Sequence, residues 1–196
     1  HIESYVVDGK EFVKPGAFAV NVHTDAYSSW EGKGPLDVYE TTGAFHLMTA
    51  GEATDFAGVK GSLIQPVRVV EEGEINTVVE ADFIYNNSRM HTKYTIDKLT
   101  DEIEIETRVF NAEMRFKLFI PTTLKDSEHI GQTIFGREVL KISYADVVSQ
   151  CWQALADKES ALCVIDDGVY GSNAYDGNLA VTLLRSAGYG AGGSAL

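Results

Sequence analysis

The chain has 196 residues, enough for one large domain or two small ones, and its 44% hydrophobic and 23% charged residues form an ordinary globular balance. Its 29 acidic against 16 basic residues give a net charge of -13, and such a negative field repels phosphate. Nucleic acids and anionic membranes are therefore excluded as expected partners. No apolar run reaches about 18 residues, so no transmembrane helix is predicted.

The first half of the chain is dominated by strand signals. An Asp8-Gly9 pair predicts a tight hairpin turn, and the glycine-rich stretch His23–Glu40 predicts an irregular loop. Further on, Ser62–Val70, Ile75–Tyr85 and Arg89–Ile96 are rich in strand-forming residues and are separated by turn residues. We therefore expect these three segments to form adjacent antiparallel strands.

The strand pattern continues through the middle of the chain. Glu102–Phe110 alternates strictly between apolar and polar residues, which predicts a strand with one buried face. Met114–Ile120 also alternates, but Phe119 stands on its polar side, so we expect this strand to be covered on both faces. The best helix candidate is Ser149–Lys158, which fits equally well as a strand that leads to a turn.

The most informative stretch lies near the end of the chain. Leu162–Ile165 and Leu179–Arg185 are apolar strands, and turn residues, among them Asp176-Gly177, fill the space between them. This pattern predicts a single β-hairpin with a long loop. Many short strands and few helices predict an all-β fold, a large antiparallel β-sandwich over residues 1–187, followed by a flexible glycine-rich tail at 188–196.

The cysteines and histidines give no sign of a metal site. Cys151 and Cys163 stand in apolar settings and are too few for a disulfide framework, so we expect buried, free thiols. The five histidines are far apart, and no HxH, HExxH or CxxC spacing occurs. No G-x-S-x-G nucleophile elbow is present either. Neither a metal ligand nor a catalytic residue is therefore assigned in this chain.

A pair of adjacent carboxylates, Asp166 and Asp167, precedes Gly168. Paired carboxylates are the machinery of a glycosidase, but successive side chains on a strand point to opposite faces. These two groups therefore cannot flank one glycosidic bond together. We expect one of them to cap its own turn by accepting backbone hydrogen bonds, and the other to reach solvent or a neighbouring surface.

Two tyrosines and an arginine in the same stretch are candidates for recognition. Tyr170 and Tyr175 lie among acidic residues and glycines, a setting that suits either a sugar face or a second protein domain. Arg185 ends the last strand, where it can pair with a carboxylate across the sheet or reach a neighbouring site.

Several segments, taken in order, carry a family resemblance: Val6–Glu11, Glu80–Phe83 with Lys93–Ile96, Glu104–Asn111, Lys117–Pro121, Ile134–Glu138, Gln150 and Trp152, Asp166–Gly171, and Leu183–Ser186. Together they resemble the β-rich region that follows the catalytic part of family 38 α-mannosidases of the bacterial and cytosolic type. Each segment is short, but the ordered set is specific and covers nearly the whole chain.

The resemblance implies a β-sandwich of the galactose-mutarotase-like kind from the C-terminal part of a retaining α-mannosidase. In that family the nucleophilic aspartate and the ligands of zinc or another divalent metal belong to an N-terminal α/β barrel, and no motif of that barrel is present here. The implied partners are this catalytic domain and a mannose-containing glycan. Asp167, Tyr170, Tyr175 and Arg185 are then candidates for the domain interface or the substrate rim, and homo-oligomerisation stays open.

The start of the chain bears on its origin. No signal peptide opens it, and a strand pattern is already under way at Ile2–Val7. We therefore expect a part of a longer, cytoplasmic protein.

One alternative is a stand-alone carbohydrate-binding module. That function needs an exposed aromatic platform, which Trp30, Tyr27 or Tyr170 would supply.

Another alternative is an aldose-epimerase-like enzyme on the same fold. It needs a general acid and a general base on one concave sheet face, and the candidates are His91 with Glu104 or Glu106.

Overall fold

A computed structural model describes residues 1–24, 40–110 and 115–186. Most of the predicted loop His23–Glu40 and the predicted tail 188–196 lie outside these residues. The described residues form two compact units. Unit 1 contains those up to Ala44 and from Arg115 onward, and unit 2 contains those from Phe45 to Phe110. Both fall within 1–187, whose assignment to one domain stays a prediction.

Strands make up nearly all the regular structure of both units. In unit 1 they are β1 Val6–Val7, β2 Lys10–Glu11, β3 Ala19–His23, β4 Thr41–Ala44, β10 Arg115–Pro121, β11 Glu128–Thr133, β12 Gly136–Val139, β13 Ser143–Val148, β14 Trp152–Ala156, β15 Ala161–Ile165, β16 Gly171–Tyr175 and β17 Asn178–Arg185. In unit 2 they are β5 His46–Leu47, β6 Val67–Glu72, β7 Asn76–Tyr85, β8 Ser88–Asp97 and β9 Ile103–Phe110, with one helix, α1 Ala50–Ala57.

Unit 1 contains a six-stranded antiparallel sheet in the order β13-β16-β17-β10-β3-β4. The interior strand β10 is buried along almost its whole length, and Phe116 and Ile120 are fully buried. The prediction that both faces of this strand are covered is confirmed. Its polar side, occupied by Arg115 and Lys117, is buried as well.

A second, four-stranded sheet of unit 1 runs in the order β12-β11-β14-β15. The register places His129, Leu155 and Leu162 side by side on one face, and all three are buried. His129 Nε2 lies 3.3 Å from Ser172 Oγ of β16, in the other sheet. The two sheets of unit 1 therefore face each other, and the predicted antiparallel β-sandwich class is confirmed.

The prediction of one long hairpin near the end of the chain is wrong. Strand β15 pairs with β14 in the four-stranded sheet, whereas β17 pairs with β16 in the six-stranded sheet. The residues between β15 and β16 cross from one sheet to the other, and backbone bonds hold both ends: Asp166 N–H donates to Cys151 O at 2.8 Å and Ser149 N–H donates to Tyr170 O at 3.0 Å. The local pattern showed the strands but not the partner of each one.

The two predicted Asp-Gly hairpin turns are confirmed. Asp8 and Gly9 have φ values of 49° and 78°, and Asp176 and Gly177 have φ values of 50° and 74°. Positive φ at both central residues is the geometry of a two-residue hairpin turn, which aspartate followed by glycine adopts readily. The turns join β1 to β2 and β16 to β17.

Unit 2 is built on a sheet in which β7 pairs with β5, β6 and β8, and β8 pairs with β9. The predicted adjacency of the three strands between 62 and 96 is confirmed, including the turn at Asn86. The first of them begins at Val67 rather than at Ser62. Strand β9 alternates as predicted, with Ile103, Ile105 and Val109 less exposed than the residues between them.

The helix prediction at Ser149–Lys158 is wrong, and the alternative strand is present there as β14. The helix of the described residues is α1 instead. Thr49 caps its start by accepting from the Glu52 N–H, and the Glu52 side chain accepts from the Thr49 N–H, which makes a capping box. Gly58, in the left-handed region, ends it. No helix in the described ranges is long and apolar enough to cross a membrane.

The cysteine prediction is half right. Cys151 and Cys163 are free thiols, as expected, but both are exposed rather than buried. Cys163 lies on the face of its sheet opposite to the buried Leu155 and Leu162, which explains its exposure.

His129 is expected to make stability sensitive to mild acid. Burial lowers the pKa of this imidazole in the folded chain. In mild acid the imidazole is therefore protonated more readily in the unfolded chain than in the folded chain. Stability should therefore fall as the pH drops below about 6.5, with a slope of at most about 1.4 kcal/mol per pH unit. Urea unfolding at a series of pH values below about 6.5 should show this slope, and His129→Gln should reduce the slope. An identical slope in His129→Gln, or an equal reduction in the exposed-site control His46→Gln, would contradict the assignment.

Candidate functional site

The most unusual group of side chains in unit 1 is a buried charged cluster on the six-stranded sheet. Arg115 and Lys117 alternate with apolar residues along β10 and therefore point to the same face. Both donate to the carboxylate of Asp146 on β13, and Thr182 Oγ1 of β17 donates to the same group at 2.9 Å. The Lys117 ammonium also donates to Asn173 Oδ1 of β16. The cluster thus joins side chains of four strands, and three of these side chains donate to the Asp146 carboxylate.

The ionisation of this cluster follows from its burial. Desolvation lowers the pKa of the Lys117 ammonium, and Arg115 lowers it further, although Asp146 opposes both effects. Desolvation raises the pKa of Asp146, but the charges of Lys117 and Arg115 and the hydrogen bonds outweigh it and hold that pKa below its usual value. Asp146 is therefore the charged group on which the two buried cations depend.

A pocket of about 240 Å³ opens beside this cluster. Its polar lining comes from five side chains on four strands: Asn21, His23, Thr41, Lys117 and Asn173. Three aromatic rings, those of Phe119, Tyr144 and Tyr175, form the apolar part together with the methyl group of Ala180. The pocket therefore combines hydrogen-bonding groups with ring faces.

The aromatic rings pack on one another. The ring centroids of Tyr144 and Tyr175 are 4.5 Å apart, and those of Phe119 and Tyr175 are 6.4 Å apart. Tyr144 Oη donates to Asp176 Oδ2 at 3.0 Å, in the turn between β16 and β17. The exposed ring of Tyr144 is therefore held at both its face and its hydroxyl.

The connector between the two sheets, residues 166–170, contains the carboxylate pair predicted from the sequence. Asp166 Oδ1 accepts from the Val169 N–H at 3.0 Å, and its Oδ2 accepts from Gln153 Nε2 at 3.0 Å. Asp167 and Tyr170 are exposed. The expectation that one aspartate caps its own turn while the other reaches solvent is confirmed.

The four residues predicted for an interface or substrate rim do not form one cluster. Asp167 and Tyr170 lie in the connector, at the start of β16, whereas Tyr175 ends that strand and lines the pocket. Tyr175 is opposite Asn178, so Arg185 lies seven residues further along β17, about 23 Å away at 3.3 Å per residue. Arg185 is exposed and lies opposite Arg115 in register.

The histidine proposed for epimerase chemistry has different neighbours from those expected. His91 Nδ1 lies 2.7 Å from Asp82 Oδ1, and Arg68 bonds to the same carboxylate at 2.6 Å. Glu106 pairs with Lys93 instead. In the described ranges neither Glu104 nor Glu106 is bonded to His91, so the predicted acid-base pair is not assembled there.

Trp30 and Tyr27, candidates for an aromatic platform, lie outside the described residues. Within residues 1–24, 40–110 and 115–186, no group of three or more histidine, cysteine, aspartate and glutamate side chains is placed to hold a metal ion.

The outward side of the four-stranded sheet is the second feature that stands out. We define the outer face by Ile130, Val139, Trp152, Cys163 and Ile165, which the register places on the side opposite the buried core residues. Val139, Cys163 and Ile165 are exposed. A solvated antiparallel sheet normally shows polar residues on its outward side. The outer face is instead an apolar patch, with the exposed charged residues Glu128 and Arg137 beside it on the same side of the sheet, as expected of a surface that meets another protein.

The comparison with protein families identifies the domain. A model for the C-terminal domain of glycosyl hydrolases family 38 matches residues 31–191. The chain belongs to this family. No curated protein sequence matches it. A family 38 C-terminal domain goes with the catalytic domain of a glycoside hydrolase, so both the resemblance and a glycosidase parent are confirmed.

The buried cluster of this family 38 domain was missed in the sequence. A signal was present: β10 was predicted to be covered on both faces, yet it carries Arg115 and Lys117, and two buried cations require a partner. The partner itself, Asp146, lies 29 residues beyond Lys117 on a different strand, and no local pattern indicates that pairing.

Proposed function

We propose that this domain performs no chemistry itself and supports the catalytic domain of an α-mannosidase that removes terminal α-D-mannosyl residues. The parent would be cytoplasmic and would hold zinc or another divalent metal in its N-terminal catalytic domain. The outer face carries this proposal, because it offers apolar surface of a kind that a free domain seldom exposes. Its occupant is the catalytic domain of the same polypeptide, since family 38 C-terminal domains accompany one.

The connector extends this surface toward the substrate. Asp167 directly follows Asp166, which follows Ile165 of the outer face, and Tyr170 ends the same connector. A surface that docks through Ile165 therefore brings Asp167 and Tyr170 to the edge of the interface. In this proposal those two residues contribute to the rim around a mannose-containing glycan. Arg185 and Tyr175 lie elsewhere in unit 1, where they are candidates for other parts of the interface.

Placing a charge on the outer face tests the docking. Ile165→Asp in the full-length enzyme should lower hydrolysis of an aryl α-mannoside at least about tenfold, because burying an unpaired carboxylate costs several kcal/mol. The Ile165 side chain is 78% exposed in this chain, so the same substitution should leave the stability of the 196-residue chain nearly unchanged. Leu99→Asp in unit 2 is the matched control, since Leu99 is 76% exposed and does not belong to the outer face.

A chemical footprint gives a readout independent of activity. In a Cys151→Ser background, Cys163 should react with a thiol reagent in the 196-residue chain, slowly because partial burial raises its pKa. The same thiol should be protected in the folded full-length enzyme. Equal labelling rates in the two proteins would contradict docking through the outer face. Hydrolysis of an aryl α-mannoside by the 196-residue chain with added zinc would contradict the non-catalytic assignment.

A further inference from the structure

We propose that the pocket beside Lys117 is a non-catalytic binding site for the pyranose ring of a neutral sugar. The proposal goes beyond the support of a catalytic domain, because every residue that forms the pocket belongs to unit 1. It therefore does not depend on how this chain is joined to its parent.

The size of the pocket selects a small ligand. Its volume of about 240 Å³ lies just below the range of about 300–1,000 Å³ typical of sites for drug-sized molecules. A pocket of this volume suits a ligand the size of one sugar ring. The residues that line the pocket come from all six strands of the six-stranded sheet, so its walls are held by the sheet itself rather than by loops.

The polar side of the pocket offers hydrogen bonds of the kind that hydroxyl groups need. An ammonium has three N–H groups, and Asp146 and Asn173 take two of those on Lys117, which leaves one for a ligand oxygen. Asn21 also lines the pocket, and its amide forms no hydrogen bond within the described residues. The Thr41 hydroxyl adds a third group. Together they provide donors and an acceptor on one side of the pocket.

The aromatic side of the pocket suits the C–H face of a sugar. The ring centroids of Tyr144 and Tyr175 are 4.5 Å apart, the two rings are tilted by 33°, and Phe119 extends the apolar surface. Such rings bury apolar area with a fixed geometry. Tyr144 remains 55% exposed although its hydroxyl is bonded to Asp176, so its ring is available at the mouth of the pocket.

The charges around the pocket favour a neutral ligand over an anion. Lys117 forms an ion pair with Asp146, and Asp176 lies beside Tyr144 at the mouth of the pocket. The chain as a whole carries a net charge of -13. An anionic ligand would approach through this negative field, whereas a sugar would not be affected by it.

Titration of the 196-residue chain with three methyl glycosides tests the proposal. Methyl α-D-mannoside, methyl α-D-glucoside and methyl β-D-galactoside should be added in turn, with amide resonances as the readout. At least one should shift the resonances of Asn173 and Ala180, with a dissociation constant on the order of 1 mM, as expected of so small a ligand. Tyr144→Ala should weaken this binding about tenfold, and Asn21→Ala about fivefold.

Phe135→Ala is the matched control, because the Phe135 ring is also aromatic and is 100% exposed, but it does not line the pocket. It should leave the dissociation constant unchanged. The proposal is overturned if no glycoside shifts these resonances at about 100 mM. It is equally overturned if Tyr144→Ala binds as well as the unchanged chain, or if glucuronate binds while the three neutral glycosides do not.

Discussion

Replacing Asp146 with asparagine is expected to lower the free energy of unfolding by about 3–5 kcal/mol, the usual effect of removing one partner from a buried ion pair. Arg115 and Lys117 both donate to this carboxylate, and both are buried. The variant therefore leaves two buried cations without their shared anion. Urea unfolding at neutral pH, with circular dichroism as the signal, should measure the loss.

Asp167→Asn is the control for this experiment. It removes the same charge from an exposed position in the connector, so it should change stability by less than about 0.5 kcal/mol. If the two variants were equally stable, the buried cluster would not hold unit 1 together. If Asp146→Asn were too unstable to isolate, Lys117→Met combined with Asp146→Asn should recover part of the stability, because it removes one of the two buried cations that lose their bond to Asp146.

The same carboxylate should contribute to acid unfolding. Its folded pKa lies below the unfolded value of about 3.9, so the folded state is favoured wherever the unfolded group is ionised. That contribution is complete above this value and is lost as the pH falls through the folded pKa. Its pH window lies well below the window expected for His129, so the two effects should separate in a pH series.

The local strand pattern was largely predictable from the sequence. Residues 102–110 alternate because Ile103, Ile105 and Val109 lie on the less exposed side of β9 and most of the charged residues lie on the solvated side. The Asp-Gly turns were predictable because few other residue pairs adopt two successive positive φ values. Both features depend only on residues that are neighbours in sequence, so the sequence alone was enough to predict them.

The pairing of distant strands was not predictable in the same way. Leu162–Ile165 and Leu179–Arg185 are both apolar strands, and nothing in either segment indicates that they belong to different sheets. The candidate pocket was not predictable for the same reason. Asn21 and Asn173 are far apart in sequence, and only the pairing of β10 and its neighbours brings them to the same pocket. The sequence contained the residues of the site but not their proximity.

The short helix α1 was missed for a different reason. Its eight residues include Gly51, and their apolar stripe is too short to establish a helical period. The capping box of Thr49 and Glu52 and the terminal Gly58 were the available signals. In this helix the ends carry more sequence information than the middle.

Phe116→Ala is expected to destabilise the chain by about 3–5 kcal/mol, because it removes a large ring from a fully packed position. Phe116 is 0% exposed on the interior strand β10, between β17 and β3. The neighbouring backbones are fixed by the sheet and cannot close the cavity. Phe135→Ala is the matched control, since that ring is 100% exposed and should contribute little to folding. Equal urea midpoints for the two variants would show that the core does not depend on β10, whereas a large loss in Phe116→Ala alone locates the core there.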